Sequence, residues 1–525
     1  MPQFETDLVI AGAGTAGLLA AVAARRLGFE VLVVERTAYA GGTTSGSRGA
    51  MWLPANDLAG KLGVNDSVPA ALEYLNSVLG DTTDASTAAR REGYITSAPK
   101  MVRWLLSSRL PLFVMRLPDY HPAEEGGLPQ GRVISTHHSD PKSLGDNAAR
   151  LRRAPARTAR KLPPLGFLAP KASTTGTRGE SLATELLRRA CVNGVEIWFE
   201  TAFAELTETA GRVTGVVVER GGERVQVVAR KAVLLACGGF EASQTLREEH
   251  LPLPTNAAWS LNEALNDGSA LDPAMALGAD TAAMGNAWWA PVIVANGVPY
   301  RIDRARQAPH SVIVDHAGDR FFSEAAGPAI LGRYLYDRTR GVRSVPSFLI
   351  MDNKHRSSYE LGPWKAGSTP RKAIDDGDIV RAGTLDELAQ QLGIDRAGLI
   401  GTVVRFNGFA HKGVDEDFRR GESDWDRFGL GGSKKKNYGL AKLDRSPYWA
   451  AKVYPGDTGT KGGLLIDADS RVLRADGSPI AGLYACPGAA ASLMKGTSPG
   501  PGAGLGEALI AAYRAVLAID GAQGE

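Results

Sequence analysis

The chain has 525 residues, of which 44% are hydrophobic and 22% are charged, and its formal net charge is +3. This length predicts a folded protein of more than one domain. The small net charge argues against nucleic acid or an anionic membrane as the main partner. The basic run 150–161 (RLRRAPARTARK) is interpreted as a solvated loop, with a membrane or partner patch as the alternative.

The three cysteines, Cys191, Cys237 and Cys486, lie far apart and show no C-x-x-C spacing. Neither a zinc site nor a redox dithiol is therefore predicted, and a fused haem is not expected either. Free thiols are typical of a reducing compartment. The N-terminus runs straight into a strand without signal-peptide features, and no stretch approaches the roughly 20 apolar residues of a membrane span. We expect a cytoplasmic protein, with peripheral membrane association left open.

The first 35 residues predict a complete βαβ unit. The apolar run 7–11 (DLVIA) is typical of a buried parallel strand, and Gly12, Gly14 and Gly17 follow as G-x-G-x-x-G. An Ala/Leu-rich helix ends near Gly28, and the strand EVLVVE closes at Glu35. In this order, the segments indicate a dinucleotide site with its pyrophosphate at the helix N-terminus and its ribose on the acid.

The segment after the second strand favours FAD over NAD. Arg36 precedes a Gly/Ser/Thr-rich stretch from Gly41 to Gly49, which offers small side chains and many backbone N–H donors. Such a loop suits a second wrap around a pyrophosphate and the edge of a flavin ring.

Further strands and glycines predict that the cofactor domain both opens and closes the chain. Residues 177–240 indicate a helix, a strand, a hairpin and a strand ending at Gly238, and the strand LYAC (483–486) leads to Gly488 and a last helix starting near Gly504. We predict an α/β fold with a discontinuous Rossmann-like FAD-binding domain (1–284 and 447–525) and an inserted α+β substrate domain (285–446).

Six segments resemble the 3-ketosteroid 1-dehydrogenases and their relatives within the fumarate-reductase-like flavoproteins. They are VVERTAYAGGTTSGSRGAMWLPAN (33–56), PDYHPAEEGGLPQGRVI (118–134), AVLLACGGFE (232–241), DRFFSEAAGP (319–328), VYPGDTGTKGGLLIDADSRVLRADGSPIAGLYA (453–485) and GTSPGPGAGLGEA (496–508). The resemblance implies FAD and desaturation next to a ketone, and because no His or Cys can be tied to the flavin methyl group, we expect the FAD to be non-covalent. In that reaction a tyrosine base removes the α proton, and a hydride passes from the β carbon to flavin N5. The electron acceptor implied is a quinone or a soluble carrier.

The resemblance carries over residue by residue. Tyr120 in PDYHP matches a tyrosine of the active-site wall, and Gly502 in SPGPG matches the glycine whose N–H faces the ketone oxygen. Ser498 stands where the family has its ketone-polarising tyrosine, and Pro328 or Ala329 stands where it has its base. Two expected phenols are therefore missing.

Another base is needed if the chemistry is retained. Tyr334 and Tyr336 on the predicted helix LGRYLYD are candidates, although side chains two residues apart on a helix point in different directions. Tyr300 and His310 are weaker candidates, and each has core or surface packing as its alternative role. His121 is interpreted as a loop residue.

Arginines raise the question of an acidic substrate. The inserted domain carries Arg301, Arg304, Arg306, Arg320 and Arg333, and a guanidinium group can clamp a carboxylate with two hydrogen bonds. A surface location is the alternative for each. Arg48 also departs from the small-residue run expected near the flavin, as does the pair Cys486-Pro487. Pro328 stands where fumarate reductases have their acid arginine, which argues against dicarboxylate reduction.

These patterns predict a ketone desaturase with a 3-ketosteroid as prototype substrate. Alternatives are a desaturase of a smaller ring such as cyclohexanone or 4-oxocyclohexanecarboxylate, an enone or enoate reductase, and a flavin-binding protein without catalysis. The predicted catalytic residues are Tyr120, Ser498, Gly502, Tyr334 and Tyr336. The predicted FAD contacts are Gly12, Gly14, Thr15, Ala16, Gly17, Glu35, Arg36, Gly41, Gly42, Thr43, Thr44, Ser47, Gly49, Ala50, Ala204, Gly238, Gly488, Gly502, Ala503 and Leu505. No metal site is predicted.

Overall fold

A computed structural model describes residues 2–153, 177–262, 266–430 and 437–521. Most of the basic run, from residue 154 onward, lies outside the described residues. The strands are β1 (Gln3–Ala11), β2 (Val31–Val34), β3 (Met51–Trp52), β4 (Leu112–Val114), β5 (Val133–Thr136), β6 (Glu196–Trp198), β7 (Thr201–Thr209), β8 (Arg212–Arg220), β9 (Glu223–Leu235), β10 (Thr281–Ala282), β11 (Ala287–Ala295), β12 (Val298–Arg301), β13 (Ser311–Val314), β14 (Ser347–Met351), β15 (Val380–Ala382), β16 (Tyr448–Thr460), β17 (Gly463–Leu464), β18 (Arg471–Leu473) and β19 (Pro479–Ala485).

The α-helices are α1 (Thr15–Arg26), α2 (Val68–Leu79), α3 (Ala88–Ser107), α4 (Arg178–Val192), α5 (Gln244–His250), α6 (Leu271–Met275), α7 (Asp303–Gln307), α8 (Pro328–Thr339), α9 (Asn353–Ser358), α10 (Arg371–Asp375), α11 (Leu385–Leu392), α12 (Arg396–Lys412), α13 (Asp424–Leu430) and α14 (Ala503–Asp520). Short 3₁₀ turns occur at Gly42–Gly46, Ala59–Leu62, Pro141–Arg150 and Ala257–Trp259.

The cofactor domain is organised around a mixed eight-stranded sheet. Its order is β18-β19-β8-β9-β1-β2-β6, with β7 paired to β8, and β1 lies parallel to both β2 and β9. Because β1 is covered on both faces, residues 8–11 are fully buried and the strand has the unbroken apolar sequence that parallel strands need. The predicted strands VQVVA and AVLLA are joined in the single strand β9.

Alternate residues of β1 separate two cores. Leu8 and Ile10 face a core shared with the helices α1, α3, α4 and α14, whereas Val9 and Ala11 face a core shared with β8, β9 and the inserted domain. The Ala-rich sequence of α1 suits this position, since small side chains let α1 lie close to both the sheet and α14.

A second, six-stranded sheet forms the inserted domain, with the order β12-β11-β16-β14-β13 and β15 on β16. Its long strand β16 pairs antiparallel with β11 and β14, so this sheet includes residues beyond 446, the boundary predicted from the sequence. Strand β16 also leads straight back to the cofactor domain at Thr460.

Three negative findings apply to the part of the chain that the structure describes. No helix there combines the length and the apolar character needed to cross a bilayer. No cluster of His, Cys, Asp and Glu there has the makings of a metal site. All three cysteines are free thiols.

Candidate active site

Three glycines shape the first turn of the cofactor site. Gly12 has a φ of +108°, and a Cβ there would collide with the backbone of Ala236 at the end of β9. A Cβ at Gly17 would collide with the carbonyl of Gly12. Gly14 differs, because nothing lies within 4 Å of a Cβ built on it, and it caps the N-terminus of α1. Open space at a helix N-terminus fits the pyrophosphate of a dinucleotide.

Glu35 lies directly after β2, beside this turn. Its Oε2 accepts a hydrogen bond from the backbone N–H of Ala13 at 2.9 Å, and its Oε1 accepts two from Thr37, also at 2.9 Å. These bonds fix the carboxylate at the edge where a ribose diol would bind. Arg36 instead makes a bidentate ion pair with Asp267 at 2.8 and 2.7 Å. To contact FAD as predicted, its guanidinium group must bind Asp267 and the cofactor at the same time.

The Gly/Ser/Thr-rich loop packs on the first turn. Gly41 has a φ of +110° and donates its N–H to the carbonyl of Ala13 at 2.8 Å. The hydroxyls of Thr15 and Thr44 lie 2.8 Å apart, which ties the loop to the start of α1. The loop, including the predicted residues 42, 43, 47, 49 and 50, therefore forms the second wall of the same cleft.

Two more glycine loops meet at this edge of the sheet. Gly238 follows β9 and Gly488 follows β19, and both have positive φ values. A Cβ on Gly488 would lie 3.3 Å from the α-carbon of Gly238. Because β9 and β19 are parallel neighbours, their carboxyl ends bring these loops together, as in other open α/β sheets. Ala204 is half-buried on β7, and Ala503 and Leu505 begin α14.

The loop before α14 presents an unpaired backbone donor. Gly502 is the N-cap of α14 with a φ of +84°, and a Cβ there would collide with the carbonyl of Ala50. The Gly502 N–H has no hydrogen-bond partner among the described residues. Ser498 is 3% exposed, and its hydroxyl donates to the carbonyl of Gly500 at 3.2 Å, within the same loop. Gly502 therefore keeps a free donor, whereas Ser498 already uses its own.

Tyr120 lies against this loop. Its backbone N–H donates to the carbonyl of Pro499 at 3.0 Å. Its ring meets the Trp425 ring edge to face at 4.5 Å, and a Cβ on Gly327 would lie 3.2 Å from it. Burial raises the pKa of Tyr120 to about 12, while the positive charges of Arg301 and Arg48 favour its phenolate. Sequence patterns alone had not indicated Trp425.

A buried polar network holds Asp119, the residue that precedes Tyr120. Asp119 accepts hydrogen bonds from the Trp52 indole at 2.7 Å and from Arg132 at 2.9 Å, and Arg132 pairs in turn with Asp66. The Trp52 ring is so close to Gly500 that any side chain there would clash with it. The network thus links the backbone at Tyr120 to the 498–502 loop.

Lys461 anchors the other end of the loop. It is 1% exposed, and its Nζ donates to the carbonyls of Lys495, at 2.9 Å, and Thr497. The same Nζ lies 4.2 Å from the centre of the Trp288 ring. Burial lowers the pKa of Lys461 to about 7, partly offset by the carboxylate of Glu507. Its position in the TKGG segment is the only sequence signal for this role.

Tyr334 and Tyr336 have contacts that suit packing. Tyr334 is 42% exposed and stacks on Phe322 at 6.1 Å. Tyr336 is buried, donates its hydroxyl to the carbonyl of Pro254 at 3.2 Å and packs on Trp289 at 5.1 Å. Burial raises its pKa well above the usual value. Within the part of the chain that the structure describes, neither ring contacts Tyr120. The catalytic roles of Tyr334 and Tyr336 stay predictions.

The sequence is similar to those of known flavoproteins along almost its whole length. Residues 7–505 match the family model described as "FAD binding domain". The chain is 34% identical to a 3-oxosteroid 1-dehydrogenase from Mycobacterium tuberculosis, with 98% of both chains covered. It is 32% identical to a 4-oxocyclohexanecarboxylate 2-dehydrogenase from Sinomonas cyclohexanicum, covering 99% of this chain and 94% of that one.

The fold comparison agrees with the sequence comparison. A 3-ketosteroid delta1-dehydrogenase from Sterolibacterium denitrificans, solved in complex with 1,4-androstadiene-3,17-dione, has a TM-score of 0.90 and 34% identity, covering 99% of this chain and 100% of that one. The predicted fold class and resemblance are confirmed, and FAD is the cofactor. The chain belongs to the FAD-binding oxidoreductase family that includes the 3-ketosteroid 1-dehydrogenases.

Proposed function

We propose that this protein desaturates a cyclic ketone by removing hydrogen from the carbons α and β to the carbonyl. The observation that carries the proposal is the hydrogen bond from the Tyr120 backbone to the carbonyl of Pro499, which joins a half-buried phenol to the loop that holds the unpaired N–H of Gly502. The dehydrogenases described above supply the reaction class.

Each group has a physical task in this reaction. The Gly502 N–H, at the positive end of the α14 dipole, stabilises the negative charge that develops on the ketone oxygen. That stabilisation acidifies the α carbon, from which the Tyr120 oxygen accepts the proton. Bound FAD supplies the acceptor for the hydride that leaves the β carbon.

The positive groups near Tyr120 help it to act as a base. A buried phenol is a poor base at neutral pH because its phenolate is costly to form. Arg301 and Arg48 both favour the phenolate electrostatically. Trp425 and the backbone at Gly327 lie against the ring and hold its orientation.

Turnover with a redox dye and identification of the product test the proposal. The holoenzyme is incubated with 4-androstene-3,17-dione, cyclohexanone or 4-oxocyclohexanecarboxylate, and the product is examined by mass spectrometry. We expect at least one ketone to lose two hydrogens and gain conjugation. Dye reduction by none of them, with flavin bound, would remove the case for ketone desaturation.

A single-ring substrate is the second candidate. Ser498 is buried and bonded within its own loop, so nothing at this position reaches as far as a tyrosine hydroxyl. The similarity to a 4-oxocyclohexanecarboxylate 2-dehydrogenase supports the same choice. Ser498→Tyr separates the candidates, because a gain of steroid dehydrogenation would indicate a steroid pocket that has lost one donor.

The proposal extends to the electron acceptor and to the cellular compartment. A quinone or a soluble carrier takes the electrons from the reduced enzyme, and the enzyme works in the cytoplasm. Three free thiols support a reducing compartment.

A further inference from the structure

Positive charge is concentrated around Tyr120. Arg301 at the end of β12 pairs with Asp303 at 2.8 Å, and Asp303 also pairs with Arg306 at 3.3 Å. Arg306 is fully buried and donates to the carbonyl of Ala326 at 2.9 Å. The next residue, Gly327, lies against the Tyr120 ring. A continuous series of contacts therefore places Arg301 on the inserted-domain side of Tyr120.

Arg48 approaches from the cofactor side. It lies two residues before Ala50, whose carbonyl packs against Gly502. Arg48 has no hydrogen-bond or ion-pair partner among the described residues. The charge of Arg301 is the main cause that lowers the pKa of Arg48, followed by burial, so the two guanidinium groups are close enough to repel each other.

The charges around the cleft do not balance. Arg48, Arg301 and Arg306 all interact with the carboxylate of Asp303, and Asp426 adds only one further negative charge beside Arg306, whereas Arg304 adds another positive charge near Arg48. Arg48 and Arg301 are both exposed, Arg301 with 37% of its side chain accessible, so a ligand can reach both. Two like charges that lie close together are stabilised when an anion binds between them.

We infer that the ketone substrate carries a carboxylate, which Arg48 and Arg301 bind from opposite sides of the cleft while its ketone oxygen meets Gly502. This deepens the proposed function and rests on it. Guanidinium groups suit the task because they bind carboxylates through two parallel hydrogen bonds. A neutral steroid would leave both charges uncompensated in a cleft from which it displaces water.

The test compares matched acidic and neutral ligands on the holoenzyme. The substrates are 4-oxocyclohexanecarboxylate and 4-oxocyclohexanecarboxamide, and the non-oxidisable ligands are cyclohexanecarboxylate and cyclohexanecarboxamide, followed through the flavin absorption spectrum. We expect kcat/KM to favour the acid by about 30-fold, the scale of a charged hydrogen-bonding group. We also expect cyclohexanecarboxylate, but not its amide, to perturb the flavin spectrum.

Substitutions then show which residues cause the preference for the acid over the amide. Arg48→Met and Arg301→Gln should each raise KM for the acid and weaken cyclohexanecarboxylate binding by about 10-fold or more, with little change for the amides. Arg48→Lys should restore part of the binding. Arg371→Met is the control, since Arg371 is 93% exposed and pairs with Asp375 on the surface.

The outcomes separate the two claims. Equal use of acid and amide, with no binding of cyclohexanecarboxylate, would overturn the carboxylate site and leave ketone desaturation standing. Binding of cyclohexanecarboxylate that depends on Arg48, without turnover of any ketone, would support the site and reject the reaction. Loss of both ligand types in Arg48→Met and Arg301→Gln alike would also overturn the inference, because the role would then be structural.

Discussion

At the scale of single residues, Tyr120 carries the largest part of the proposed chemistry. If its phenolate is the base, kcat/KM rises about tenfold per pH unit below the Tyr120 pKa of about 12. Tyr120→Phe should lower kcat/KM by about 10²–10⁴-fold and remove that slope. The measurement is a pH–rate profile across the range in which the enzyme stays folded.

Two other tyrosine variants complete that experiment. Tyr513→Phe is the matched control, because Tyr513 lies on α14 and packs on Trp104 at 5.5 Å. Tyr336→Phe should keep the pH slope of kcat/KM, since the Tyr336 hydroxyl donates its hydrogen bond to the carbonyl of Pro254. Loss of the slope in Tyr336→Phe, and not in Tyr120→Phe, would transfer the base role to Tyr336.

Gly14 offers the most direct test of the predicted cofactor site. Its α-carbon faces open space at the N-terminus of α1, so the side chain of Gly14→Val would occupy the space assigned to the pyrophosphate. We expect the variant to fold and to purify colourless, as judged by circular dichroism and flavin absorbance. Gly341→Val is the matched control, because Gly341 is exposed and a Cβ there also meets nothing within 4 Å. A yellow Gly14→Val protein would contradict the assignment.

Some residues could be predicted from sequence and others could not. Gly12, Gly14 and Gly17 follow from a local rule, because turn, helix and strand are contiguous along the chain. Trp425 and Lys461 reach the site from segments far away in sequence. No local pattern marks Trp425, and the TKGG segment contains Lys461 without indicating that it is buried. Arg48 stood out as a departure from the small-residue run, but its proximity to Arg301 depends on the packing of two domains.

At the scale of elements, the loop between Lys495 and Gly502 is the part that must hold its shape. The Tyr74 hydroxyl donates to the carbonyl of Pro499 at 2.6 Å, and Lys461 holds the preceding carbonyls. The sequence predicted the loop through its SPGPG pattern. Its buried anchors could not be predicted, because a lysine with 1% exposure is rare and is normally expected on the surface.

Lys461→Met tests the anchoring. The substitution leaves two buried carbonyls without a donor, so we expect kcat/KM to fall by about 10-fold while flavin stays bound. Lys452→Met, at an exposed lysine of the adjoining strand β16, should change nothing. Equal kinetics in the two variants would show that the loop holds its shape without Lys461.

The lowered pKa of Lys461 adds a stability test. Between about pH 7 and about pH 10.5 the folded protein has released the Lys461 proton and the unfolded chain still holds it. The contribution of Lys461 to the free energy of unfolding therefore increases with pH over that window. Denaturant titrations at about pH 6 and about pH 9 should show a rise that is smaller in Lys461→Met.

At the scale of the whole molecule, a buried ionic cluster holds the inserted domain together. Glu324 is fully buried and pairs with Arg320 at 2.8 Å and Arg420 at 3.1 Å, while Arg320 also pairs with Asp415 at 2.9 Å. Burial alone would raise the pKa of Glu324, but the two arginines outweigh it and hold the pKa below its usual value. The DRFFSE segment thus has a structural role beside its family resemblance.

Glu324→Gln should lower the free energy of unfolding by about 3–5 kcal/mol, since it leaves buried guanidinium charges without their partner. Because the folded-state pKa of Glu324 is depressed, its contribution is present above the unfolded pKa and is lost as the pH falls through the acid range. Glu416→Gln, in the surface pair with Lys412, is the control and should cost less than about 1 kcal/mol. Equal losses in the two variants would contradict a central role for the cluster.

The general architecture was predictable because the cofactor domain is built from contiguous βαβ segments, whereas the inserted sheet was not. Its strand β16 pairs with β11 and β14, which lie far away in sequence, so its membership depends on long-range pairing. The proposed substrate site lies where the two domains meet, and for that reason the substrate was the least predictable property.

Anaerobic mixing of the yellow holoenzyme with ketones tests the central claim most directly. The panel is 4-androstene-3,17-dione, cyclohexanone and 4-oxocyclohexanecarboxylate, with chemical reduction of the flavin as the positive control. The proposed function predicts that a cyclic ketone bleaches the flavin and is recovered as the α,β-unsaturated product, and the two arginines predict that the acid does so fastest. A flavin that the chemical reductant bleaches and that none of the ketones reduces would contradict ketone desaturation.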